Sequence, residues 1–216
     1  MMDERERDLE GARRAHRTLE QHIVGLTDEQ ARRPSLLPDW TVGHVLTHIA
    51  RNADGVINML EGALRGEIAP MYVGGLEQRA ADIEAGAARS AEELVADVLA
   101  TTLRVEAAFA AMTAEAWQGQ GVAAFGPVAM NDLPGRRRRE TEVHHVDLGL
   151  GYTVHDWPTD YVRVEIRRMT MVWDSRQAMG LTGLPARTLA VDEHTRAAWL
   201  LGRAVIDGVE PARLLG

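Results

Sequence analysis

The chain has 216 residues, 45% hydrophobic and 26% charged, an ordinary globular composition that excludes a disordered or collagen-like polymer. Its 24 basic and 32 acidic residues leave a formal charge of −8, which argues against a nucleic-acid partner. No apolar run approaches the ~18–20 residues of a membrane helix, and the charged stretch Met1–Glu10 lacks the apolar core of a secretory signal, so a soluble, cytoplasmic protein is expected.

Leu9, Ala12, Leu19, Ile23 and Leu26 recur at helical spacing and predict a first helix over Glu4–Leu26. A loop with Pro34 and Pro38 follows. Asp39 and Thr41 offer N-cap oxygens for a second helix reaching about Gly66, with Val45, Leu46, Ile49, Val56, Ile57 and Leu60 on its apolar face. Gly66–Gly75, which contains Pro70, reads as a loop. A third helical region spans Leu76–Met112, and the capping-box pair Ser90 and Glu93 marks a restart within it. The glycine-rich stretch Gly119–Gly135 is expected to be a long loop of the kind that walls a pocket. A fourth helix is expected from Arg136 to Gly149 or Gly151.

This order predicts a mainly α protein: a four-helix bundle over residues 1–151, then a small α/β region over 152–216 packed on it. In the tail, Asp160 caps a helix to about Gln177, Ala186–Val191 reads as a short strand, and Asp192 caps a last helix through Val205.

The residue inventory narrows the chemistry. All 24 basic residues are arginines, which excludes a Schiff-base or P-loop lysine. Cysteine is absent, so there is neither a cysteine nucleophile nor a thiolate ligand. Histidine, carboxylates, arginine, hydroxyls and a metal remain. Two histidine clusters stand out. His44 and His48 share a face of the second helix, and Glu140 and His144 share a face of the fourth, with Asp147 one turn on. His48, Glu140 and His144 make a two-histidine, one-carboxylate set suited to a catalytic zinc or to ferrous iron. Spacing alone leaves two readings open, a metal centre or ordinary helical histidines. His16, His22, His155 and His194 read as structural, and His44 and His145 as structural or as outer partners of a metal site.

Leu37-Pro38-Asp39-Trp40-Thr41-Val42-Gly43-His44-Val45-Leu46-Thr47-His48 resembles the N-terminal motif of the mycothiol-dependent maleylpyruvate isomerases. Arg139-Glu140 through His144-His145-Val146-Asp147-Leu148 resembles that family's second metal motif. The likeness spans roughly residues 35–150. In the tail, Ala197-Ala198-Trp199-Leu200-Leu201-Gly202-Arg203 resembles the family's Trp-Leu-x-Gly-Arg element, although the tail reads as shorter than usual. The resemblance implies a DinB-like metal-binding four-helix bundle with a small α/β C-terminal appendage. It implies His48, Glu140 and His144 as ligands of zinc or another divalent metal. It places His48 and Arg203 in the catalytic set, with Arg203 also contacting the cofactor.

The implied reaction is the cis–trans isomerisation of maleylpyruvate to fumarylpyruvate in gentisate degradation, with mycothiol as the borrowed thiol. The expected partners are a small-molecule substrate and that thiol, without nucleic acid or membrane, on a monomer. Arginine forks suit a dianionic substrate, and the run Arg136–Arg139 is a second source of them after Arg203. Two rival readings are a mycothiol S-transferase acting on another electrophile and a non-catalytic metal-binding module on the same scaffold.

Overall fold

Side-chain caps set most of the helix starts. The computed structural model describes residues 3–124, 126–177 and 183–214. Asp3 accepts from the Glu6 N–H and opens α1 (Glu4–Ile23). Thr27 and Gln30 form a capping box on a one-turn helix, α2 (Asp28–Ala31), inside the stretch expected to be loop. Thr41 caps α3 (Val42–Leu64). The third helical region is two helices, α4 (Gly75–Ala87) and α5 (Ala91–Ala111), and Ser90 and Glu93 form the capping box that starts the second.

The stretch 119–135 corrects the expectation of a long loop. It holds an antiparallel hairpin, β1 (Gln120–Ala123) with β2 (Gly126–Ala129), paired from Gln120 with Ala129 to Ala123 with Gly126. A 3-10 turn over Met130–Asp132 then leads into α6 (Leu133–Asp147). That helix starts three residues before Arg136 because Pro134 fits its first turn, where no N–H partner is needed.

The chain divides into two compact units, residues 1–150 and 151–216. In the first, α3 packs on α5 and α6, and α1 packs on the same two helices, giving the four-helix bundle. One apolar cluster joins Leu19 and Ile23 to Val45, Leu46, Ile49, Leu94, Val98 and Leu148. A second joins Val56, Met59 and Leu60 to Val105, Phe109, Trp117, Met130 and Leu133.

A polar network ties all four helices together between these clusters. Arg137 of α6 is fully buried and donates to His16 Nε2 on α1 (3.1 Å) and to Ile49 O (3.0 Å) and Asn52 Oδ1 (2.9 Å) on α3. His16 Nδ1 lies 2.8 Å from Glu106 of α5. Because Arg137 can only donate, His16 Nε2 is an acceptor and its proton sits on Nδ1, facing the carboxylate.

The second unit contains a 3-10 turn (Val154–Asp156), α7 (Thr159–Arg176), α8 (Ala186–Leu189) and α9 (Glu193–Leu200). Its described residues form helices and turns. The strand expected over 186–191 is the one-turn helix α8, held by Thr188 donating its N–H and hydroxyl to Pro185 O. The last helix ends at Leu200, five residues before Val205, where Gly202 takes φ +73°. Among the described residues, no helix is long and apolar enough to cross a membrane.

Candidate metal centre

The turn before α3 presents the first ligand. Asp39 adopts a left-handed φ of 63°, which a short polar side chain tolerates, and reverses the chain toward Thr41. Ser35 secures the turn by donating its N–H and hydroxyl to Trp40 O, and Leu36 N–H donates to Asp147 O on α6. Thr41 then starts α3 with His44 as its capping partner, the imidazole Nδ1 lying 3.1 Å from Thr41 N. His44 Nε2 faces Glu84 on α4 at 3.2 Å, so His44 serves the helix start and the α3–α4 contact. Four residues on, His48 projects into the bundle, 5% exposed.

The structure brings His48, Glu140 and His144 together, with one ligand atom from each lying within 4.8 Å of the others. His48 Nε2 is 2.9 Å from His144 Nε2 and 3.2 Å from Glu140 Oε2, and Glu140 Oε2 is 3.5 Å from His144 Nε2. Among the described residues this is the one cluster of histidine and acid side chains able to hold a metal. The Glu140 side chain keeps 34% of its surface in solvent, so the cluster has an open side.

The outer contacts of the two histidines differ in polarity. His144 Nδ1 lies 2.8 Å from Asp147 Oδ2, and Asp147 is buried. A carboxylate only accepts, so Nδ1 carries a proton toward Asp147, and the neutral ring presents its Nε2 lone pair to the cluster. His48 Nδ1 instead receives Arg79 Nη2 of α4 at 2.8 Å. Sequence reading missed Arg79, which lies on a mostly solvated helix with no motif around it. Gly43 and Gly86 bring that helix close, because a methyl on Gly43 would collide with Ala87 O and one on Gly86 with the Thr47 methyl.

Burial works to raise the Glu140 carboxyl, yet hydrogen bonds from His144 and His48 outweigh it and hold the group well below the usual carboxylate range. Burial lowers His48 to about 4, with the neighbouring His144 adding to the effect. In His144, burial works downward but hydrogen bonds to Asp147 and Glu140 raise it. Trp40, at 5.7 Å between ring centroids, covers His48.

The remaining candidates make other contacts. His145 is buried against His22, with Nε2 to Nδ1 at 2.7 Å. Within the run Arg136–Arg139, Arg137 belongs to the polar network and Arg136 is exposed. Arg203 belongs to the second unit. Gly202 ends α9 in a Schellman turn, Gly202 N–H donating to Trp199 O and Arg203 N–H to Ala198 O, and this fixes where Arg203 leaves the backbone. Its guanidinium donates to Leu201 O at 3.2 Å. His155 and His194 lie in the same unit, their ring centroids 6.0 Å apart.

No curated protein sequence matches the chain. Among solved structures, a crystal structure of the mycothiol-dependent maleylpyruvate isomerase is similar at 24% identity and a TM-score of 0.82, covering 93% of this chain and 90% of that one. A histidine-to-alanine variant of that enzyme is similar to the same extent. The likeness shows a shared fold. The family described as mycothiol maleylpyruvate isomerase N-terminal domain matches residues 12–149, the bundle with both histidine clusters. The chain therefore belongs to the mycothiol maleylpyruvate isomerase N-terminal domain family.

Proposed function

We propose that this protein is a metal-dependent cis–trans isomerase that uses mycothiol to convert maleylpyruvate to fumarylpyruvate. The convergence of His48, Glu140 and His144 carries the reading: two imidazoles and a carboxylate, open on one side, form the donor set of a catalytic rather than a structural zinc site. The donor chemistry fits such an ion, because His144 offers an Nε2 lone pair set by Asp147 and Glu140 is held as a carboxylate. A bound zinc ion would act as a Lewis acid that keeps a thiol in its thiolate form near neutral pH.

The chain supplies no thiol of its own, since it has no cysteine. The nucleophile is the cosubstrate's sulfur. Its thiolate adds to one alkene carbon, and the displaced electron pair moves onto the conjugated carbonyl as an enolate. The former double bond then rotates as a single bond. Collapse of the enolate expels the same thiolate and leaves the trans alkene, so atoms and electrons balance without a redox partner. Trp40 and the buried α3–α6 seam shield His48 from bulk water. Arg203 is proposed to hold an anionic group of substrate or thiol through its planar fork.

The test is an ultraviolet assay on maleylpyruvate with zinc-loaded protein. Turnover that requires both metal and mycothiol supports the reading, and full turnover without added thiol refutes it. Inert maleylpyruvate combined with metal-dependent conjugation of mycothiol to another electrophile assigns S-transfer instead.

A further inference from the structure

His144 has a carboxylate on its outer nitrogen, and His48 has a cation there. Arg79 Nη2 sits 2.8 Å from His48 Nδ1, and a guanidinium can only donate. The neutral His48 ring therefore carries its proton on Nε2, which points at the His144 Nε2 lone pair and the Glu140 carboxylate. A metal needs that Nε2 lone pair. Once it is used, the ring proton belongs on Nδ1, facing the N–H groups of Arg79. Donor then meets donor, and the guanidinium charge opposes the incoming cation.

Arg79 is built to do something other than hold His48. Its Nε is buried without a hydrogen-bond partner, a state that is costly unless a ligand completes it. Its guanidinium lies over the Tyr72 ring, 5.4 Å from the ring centroid. The Tyr72 ring thus helps hold Arg79 beside His48.

We propose that Arg79 is the carboxylate-binding residue of this centre, and that a carboxylate held by it accepts the His48 Nδ1–H and so completes the metal site. Resting on the reading of the triad as a metal centre, this makes anion and metal binding mutually reinforcing. The ligand class is a small carboxylate able to accept from a guanidinium and an imidazole together. The bound anion takes on His48 the role that Asp147 has on His144. Reciprocity then requires the anion to tighten the metal as much as the metal tightens the anion.

The test measures zinc affinity by competition with a chromophoric chelator, with and without maleate and with no thiol present, correcting for zinc bound by maleate itself. In the wild type, maleate should tighten zinc binding roughly ten-fold, the lower end of what an outer partner of a histidine ligand contributes. Arg79→Met should bind zinc at least as tightly as the wild type without maleate and lose the maleate effect. Arg79→Lys, which keeps the charge without the fork, should retain only part of it. If Arg79→Met does not fold by circular dichroism, the Lys variant decides. An unchanged maleate effect in the folded variant, no maleate effect in the wild type, or zinc binding that weakens in Arg79→Met without maleate overturns the proposal. Zinc binding by none of the three proteins would instead refute the metal reading itself.

Discussion

Asp147 and His144 lie one turn apart on α6 with Oδ2 and Nδ1 at 2.8 Å, and the carboxylate is buried. That contact fixes the ring orientation and directs the His144 lone pair into the cluster with His48 and Glu140. Asp147→Asn offers an amide that can turn its NH2 toward Nδ1 and reverse the tautomer. Zinc affinity of Asp147→Asn should fall by about ten- to a hundred-fold, measured by chelator competition. Unchanged affinity would remove Asp147 from the site.

Glu140→Gln keeps the size of the side chain and removes its charge. Its zinc content after dialysis should drop far below the wild type, while the far-ultraviolet circular dichroism stays the same because Glu140 is only partly buried.

Arg137 of α6 binds α1 and α3 from a fully buried position. Replacing it by Met leaves Asn52 Oδ1 and His16 Nε2 without this donor and removes the second bond to Ile49 O. Urea unfolding of Arg137→Met should show a loss of about 3–5 kcal/mol, the range for breaking a buried charged network from one side. A loss below about 1 kcal/mol, an ordinary surface effect, would contradict the network's role.

His16 makes the same network sensitive to acid. Burial pushes it down to about 4 from 6.5, so between those values the unfolded chain binds a proton that the folded chain does not. Stability from neutral His16 is therefore complete above pH 6.5 and is lost as pH falls toward 4. The full effect is about 3 kcal/mol. His16→Gln can still offer an N–H to Glu106 and a carbonyl to Arg137, so its stability should fall less across this window. Unfolding of chelator-treated wild type and variant at matched pH values checks this, and identical slopes would contradict it.

Arg203→Ala should lower kcat/KM by about ten- to a hundred-fold with zinc content unchanged, the scale of one charge-assisted fork. Thermal unfolding of the same sample separates this from a structural role, because Arg203 donates to Leu201 O and closes the turn after α9. Normal kinetics with lost stability would remove Arg203 from the catalytic set.

Local chemistry made much of the bundle legible. Thr41, Ser90 and Glu93 announced helix starts, and the i,i+4 pair Glu140 and His144 announced a shared face. The hairpin was hidden because Gly121, Gly126 and Pro127 break the alternation by which a strand is read, and its pairing comes from tertiary packing beside Met59 and Met130. Residues 186–191 looked like a strand, but the turn chemistry of Pro185 and Thr188 prevailed. Arg79 was not legible at all. Its place beside His48 depends on how closely α4 approaches α3 at Gly43 and Gly86, a distance that periodicity does not encode.

The most direct test of the central claim is the metal content of purified protein, dialysed against zinc and then metal-free buffer, by mass spectrometry. About one zinc per chain is expected for the wild type, and close to none for a folded variant combining His48→Ala, Glu140→Gln and His144→Ala. A folded wild type that retains no zinc, or a triple variant that retains as much, would contradict the assignment of His48, Glu140 and His144 as a metal centre.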